Sequence, residues 1–198
     1  MENEGVEFSP RDMYYYANEL MDNGQYAKAI DEYKRFIATK QGWIEDVKGA
    51  YFRIINCYKI LNKTENILDI VFEAFKIDVP MAEIVCSLAE YFFEKNNFNQ
   101  AAFWYKTALN CIPNKDNPSL SNIAYYSWIP SLQLCVCYYN LGKINCAYFF
   151  NELTANFVGE SDKVIYNRKL FDDIYENLNM KKPNLKYPLR ADDYINYL

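Results

Sequence analysis

The chain of 198 residues contains no histidine. The most versatile general base and the commonest metal ligand are therefore both missing. Six cysteines are present, Cys57, Cys86, Cys111, Cys135, Cys137 and Cys146, but no two form a CxxC pair. Without such spacing and without histidine, no metal site is expected. Glycine is scarce, six residues in all, and no strand–Gly-loop–helix unit that would cradle a phosphate occurs. No two aspartates stand two positions apart, and the adjacent pairs Asp172-Asp173 and Asp192-Asp193 read as solvated surface charge. Basic charge is in deficit: 21 Lys and Arg against 26 Asp and Glu leave a net −5, the wrong sign for a phosphate backbone. No apolar run reaches the ~18 residues needed to cross a bilayer. These absences argue against catalytic residues, cofactor, nucleic acid and membrane. The start, Met-Glu-Asn-Glu-Gly, is acidic and polar, unlike a secretory signal. A cytoplasmic protein with free thiols is the expectation.

What is abundant is apolar and aromatic. Half the residues are hydrophobic, 18% are aromatic, and 19 are tyrosine, so a substantial core can form. Four segments align with one another: 14–37, 52–75, 86–109 and 132–155. Each reads as an apolar helix, a short turn and a second apolar helix. The turns fall at Gly24, Asn62, Asn96 and Gly142, residue types that tolerate a left-handed helix end. They lie 38, 34 and 46 residues apart, so connectors of unequal length join otherwise similar units.

Within each unit the same positions recur. Tyr16-Ala17, Ile54-Ile55, Leu88-Ala89 and Leu134-Cys135 form a large–small pair before the turn. Ala29, Ile67, Ala101 and Ala147 follow it where the second helix must approach the first, then Tyr33, Val71, Tyr105 and Asn151, then Phe36, Ala74, Ala108 and Thr154. This pattern resembles the tetratricopeptide repeat, whose period is about 34 residues. The first and third units fit it well and the second is degenerate. The resemblance implies an all-α fold, a tetratricopeptide-type α-α superhelix of about four helix pairs. The repeats span 10–40, 48–80, 82–113 and 128–159, a capping helix spans 161–178, and an irregular tail spans 179–198. Ser161 is the expected N-cap of the capping helix. Trp43, after the helix-breaking Gly42, is expected to seal the joint between repeats. The stretch from Asn114 to Ser127 is an insertion: its first half reads as loop, Ile123 to Trp128 as a helical turn, and Pro130 belongs in the first turn of the next helix.

Longer strings carry a narrower resemblance. SPRDMYYYANELMDNGQYAKAIDEYKRFI, GWIEDVKGAYFRI, PMAEIVCSLAEYFF, AAFWYKTAL and WIPSLQLCVCYYNLG look like the C-terminal tetratricopeptide region of bacterial family 2 glycosyltransferases, relatives of the S-glycosyltransferases that modify bacteriocin peptides. In that family a separate N-terminal domain holds the nucleotide sugar through a DxD motif, and nothing here matches it. A fragment of a longer enzyme and a relative lacking the enzyme half are both compatible with this chain.

In a tetratricopeptide array the first helix of each pair lines the concave side. Helical spacing then offers Arg11, Tyr14, Asn18 and Met21 in the first repeat and Phe52, Asn56 and Lys59 in the second. It offers Glu83, Cys86, Glu90 and Phe93 in the third and Leu132, Val136, Tyr139 and Asn140 in the fourth. Asn18 and Asn56 hold equivalent places, where an amide side chain can both donate to and accept from an extended peptide. Arg11 and Lys59 are the matching cations, and Glu83 and Glu90 follow them, so the mixed surface suits a peptide of apolar and basic character. The expected role is a non-catalytic module that binds a polypeptide, with the chain's own glycosyltransferase domain as a further partner. The alternative is a dimerisation or scaffolding domain with no peptide ligand.

Overall fold

The computed structural model describes residues 8–114 and 121–197. Among them the regular elements are all helical. The α-helices are α1 (Pro10–Asp22), α2 (Tyr26–Ala38), α3 (Ile44–Ile60), α4 (Ile67–Phe75), α5 (Ala82–Glu94), α6 (Phe98–Leu109), α7 (Trp128–Asn140), α8 (Ile144–Val158) and α9 (Asp162–Asn177). Short 3-10 turns occur at Thr64–Asn66, Ile123–Tyr126 and Ala191–Tyr197. Helices pack in consecutive pairs, and the chain divides into two compact units, residues 1–80 and 81–198.

The four hairpins α1/α2, α3/α4, α5/α6 and α7/α8 close in one way. Gly24, Asn62, Asn96 and Gly142 all adopt positive φ, between 54° and 73°. At each, the next amide reaches back to the carbonyl five residues earlier: Gln25 to Leu20, Lys63 to Tyr58, Asn97 to Phe92 and Lys143 to Tyr138, all at 2.8–2.9 Å. This double-bonded left-handed closure satisfies carbonyls that a helix end otherwise leaves orphaned. The interior follows the same register. Ala29, Ile67, Ala101 and Ala147 are buried, as are Tyr33, Val71, Tyr105 and Asn151, and Phe36, Ala74, Ala108 and Thr154. Of the large–small pairs only Tyr16 departs, lying exposed against Phe8 with ring centroids 5.6 Å apart.

In the first unit, Ser9 and Asp12 cap α1 reciprocally: the Ser9 hydroxyl accepts the Asp12 amide at 3.2 Å and the Asp12 carboxylate accepts the Ser9 amide at 3.2 Å. Tyr14 sits between Phe36 and Tyr33, its ring centroid 5.3 and 6.1 Å from theirs. Helix α3 closes over it, so that a Cβ on Gly49 would stand 2.8 Å from the Tyr14 hydroxyl. The expectation for Trp43 is corrected. The indole is 55% exposed. The joint between α2 and α3 is filled instead by the backbone of Gly42, where an added Cβ would lie 2.4 Å from Phe36 Cζ. Helix α4 has only nine residues, because the second helix of the degenerate second repeat opens with a 3-10 turn at Thr64–Asn66.

In the second unit, the inserted turn Ile123–Tyr126 lies against α5, α6 and α7, and Pro130 enters the first turn of α7. The rest of the expected loop, residues 115–120 with Pro118, lies outside the described residues. Helix α9 packs on α8. Ser161 occupies its N-cap position with extended backbone but makes no side-chain cap bond. The tail is not irregular throughout. Residues 179–190 carry no regular element, whereas Ala191–Tyr197 forms a 3-10 turn docked on α8. Its tyrosines reach aromatic partners in the core, which outweighs the weak local preference of so short a segment.

Candidate functional site

On α1 the proposed row divides into inner and outer members. Tyr14 is buried and bonds Arg53 on α3, so it is a core residue and drops out of any accessible face. Asn18 is half-buried and accepts the Tyr33 hydroxyl proton at 2.7 Å, with Met21 Sδ 3.9 Å from the same hydroxyl. The carbonyl oxygen that would meet a peptide amide thus already holds α2 to α1. Arg11 is exposed, its guanidinium 5.6 Å from the ring centroid of Tyr15. On α3, Phe52, Asn56 and Lys59 are all half-buried.

Arg11 opens onto a feature with a built shape. Together with Ser9, Tyr15, Gln41, Trp43 and Asp46 it lines a cavity of about 560 Å³ in the first unit. Trp43 and Tyr15 are half exposed there. The Asp46 carboxyl is raised above its ordinary value, chiefly by burial and further by Glu45, while Arg11 pulls the other way. The cavity therefore presents two aromatic surfaces, one guanidinium, one partly desolvated carboxyl and one amide. It can stack a ring or an apolar chain and orient it with polar bonds at the rim. The repeat register brings up Arg11 alone. Trp43, Gln41 and Asp46 come from the connector and the first turn of α3, where periodicity carries no message; an aromatic residue beside a helix-breaking glycine is the usable signal.

The second-unit positions have different surroundings. Glu83 is buried under the insertion, its Oε1 accepting the Asn122 amide at 2.8 Å and its Oε2 the Tyr126 hydroxyl at 2.9 Å. It is corrected from a groove residue to the anchor of that insertion, because a buried carboxylate needs such partners. Glu90 is half-buried on α5. Phe93 packs edge-on against Phe98 at the closed end of its hairpin, with centroids 5.4 Å apart. Tyr139 and Asn140 are exposed, Asn140 spends its amide on the Val136 carbonyl at 2.8 Å, and both border a shallow hollow with Ile174 and Leu178 of the α9 end.

Chemistry elsewhere is muted. Burial pushes the Cys57 and Cys111 thiols up to about 11 and those of Cys135 and Cys137 to about 12, so these are inert thiols at neutral pH. Among the described residues no cluster of three or more Cys, Asp or Glu could hold a metal ion, and no helix is long and apolar enough to cross a membrane. Compared with family models, curated proteins and solved structures, the chain finds no match in any of the three.

Proposed function

We propose that the chain is a polypeptide-binding helical-repeat module of the tetratricopeptide type, and that it performs no chemistry itself. The observation that carries this reading is the cavity edged by Trp43, Tyr15 and Arg11. Tryptophan, tyrosine and arginine are the three residue types that dominate binding energy at protein interfaces, and they do so when grouped around a recess. The shared left-handed closures support the repeat type. Within a family 2 glycosyltransferase such a module would recruit or orient a polypeptide acceptor, and this is the context we favour, in the bacterial cytoplasm.

Selection of displayed peptides on the purified chain tests the proposal. Enriched peptides should lose at least ~2 kcal/mol of binding to the Trp43→Ala variant. Failure to enrich any peptide, or peptides indifferent to Trp43→Ala, would remove the cavity from the account. A concentration-dependent dimer in sedimentation that vanishes in the same variant would favour the scaffolding alternative.

A further inference from the structure

The tail of the second unit is held like a ligand. Tyr194 and Tyr197 are three residues apart on a 3-10 turn, so they project from one face. Tyr194 lies against Tyr138 of α7 and Phe150 of α8, with ring centroids 5.7 and 5.5 Å away. Tyr197 stacks on Phe149 of α8 at 5.3 Å and 26°. Lys106 of α6 donates to the Tyr194 hydroxyl at 2.8 Å and sits 4.8 Å from its ring centre. Between the two tyrosines, the Cys146 thiol faces the carbonyls of Tyr194 and Tyr197 at 3.9 and 3.3 Å. The opposite face of the turn makes no such use of its side chains: Ile195 is 61% exposed, and Asp192 and Asn196 point to solvent.

We propose that α6, α7 and α8 form a recognition groove for a short peptide carrying two tyrosines three residues apart, occupied here in cis by the chain's own tail and opened when a partner segment of that chemistry displaces it. The groove floor is aromatic: Phe149, Phe150 and Tyr138 belong to the helix pair itself and meet the two tail tyrosines. At its edge Lys106 donates to the Tyr194 hydroxyl and lies over its ring, while Asp193 accepts the Arg190 amide and so closes the start of the turn. The tail is tethered by residues 179–190, which carry no regular element. Within that segment Tyr187 bonds Glu152 and Leu189 is buried, so the turn is held beside the groove at high effective concentration. The cis contact is thereby favoured, and a segment in trans opens the groove only by binding it much more tightly than the tail does. This groove shares no residue with the cavity of the first unit and stands or falls independently of it.

The test uses a fluorescent peptide of residues 187–198 as probe. A chain ending at residue 186 should bind it with a Kd in the micromolar range, and the full chain at least tenfold more weakly. A probe carrying Tyr194→Ala and Tyr197→Ala should not bind either. Equal binding by the full and shortened chains, or none by a shortened chain whose circular dichroism stays helical, overturns the proposal. Should the shortened chain unfold, the full chain with Tyr194→Ala and Tyr197→Ala takes its place and is expected to bind the unmutated probe; a folded variant that ignores it overturns the proposal equally. A full-chain dimer abolished by Tyr194→Ala would show exchange of tails between two copies and overturn displacement by a foreign segment.

Discussion

Arg168 of α9 grips Glu152 of α8 through two bonds of 2.8 Å, Nε to Oε1 and the terminal nitrogen to Oε2. Glu152 is almost wholly buried, and Asn151 and Tyr187 add bonds of 3.2 and 3.4 Å to the same carboxylate. The hydrogen bonds to Glu152 and Glu160 raise the guanidinium further above its already high value, so Arg168 stays charged. Helix α9 is thus fastened to α8 by a planar, bidentate contact that lysine could not reproduce.

Removing one partner should be costly, because the other is left desolvated and alone. Arg168→Met is expected to lower the stability of the second unit by about 3 kcal/mol. Pairing it with Glu152→Leu should recover most of that loss, since apolar replacement of both members of a buried pair is close to neutral. Denaturant titrations of the single and double variants check this, and a double variant as weak as the single would show that the bond does not carry the docking.

The Tyr33 hydroxyl bonded to Asn18 ties the two helices of the first hairpin. Tyr33→Phe should destabilise by about 1 kcal/mol, the usual worth of one such bond. A melting temperature indistinguishable from the parent would mean that water satisfies Asn18 equally well.

Gly42→Ala places a methyl 2.4 Å from the Phe36 ring. Phe36 is fully buried and cannot swing aside without opening the core, so a loss of about 1–3 kcal/mol is expected. Phe36→Leu in the same chain should relieve part of it, and thermal melts of the two variants decide.

The thiols predict an alkaline limit. Their folded values, about 11 for Cys57 and Cys111 and about 12 for Cys135 and Cys137, lie above the 9.0 of an unfolded thiol because burial opposes the thiolate. The folded chain therefore binds these protons more firmly than the unfolded one. Their stabilising effect is complete below pH about 9 and is lost as the pH climbs toward 11 to 12. The melting temperature should fall steadily from pH 8 through 9.5 to 10.5, and reaction with a thiol reagent at pH 8 should be slow until the chain is unfolded. A flat profile would mean that these thiols are hydrated in the fold.

How far the sequence discloses these features depends on how local they are. The turns at Gly24, Asn62, Asn96 and Gly142 are legible because few residues accept positive φ, and the buried register follows from helical period alone. The Ser9–Asp12 cap is equally local. Trp43 is different: whether it goes in or out is decided by Gly42 having already brought backbone against Phe36, a contact between two elements that no window of sequence contains. Tyr14 and Glu83 share the helical phase of accessible residues, yet each is covered by something distant in the chain, α3 for one and the insertion for the other. In the tail, Leu189, Tyr194 and Tyr197 are too few anchors to make a periodic signal, and they dock by meeting aromatics that α7 and α8 bring together.

Every hairpin turn is sealed by bonds spanning at most five residues, so no turn requires anything from the segments before or after its own pair. Growth of such a chain is cheap at the seams and dear inside a pair: doubling a connector adds only about 0.6 kcal/mol of closure entropy, while one residue slipped into a helix rotates its whole apolar stripe away from the partner. The unequal connectors, short from α2 to α3 and long from α6 to α7, are the trace such a rule leaves, and an extra pair spliced in between would arrive with its own turn already solved.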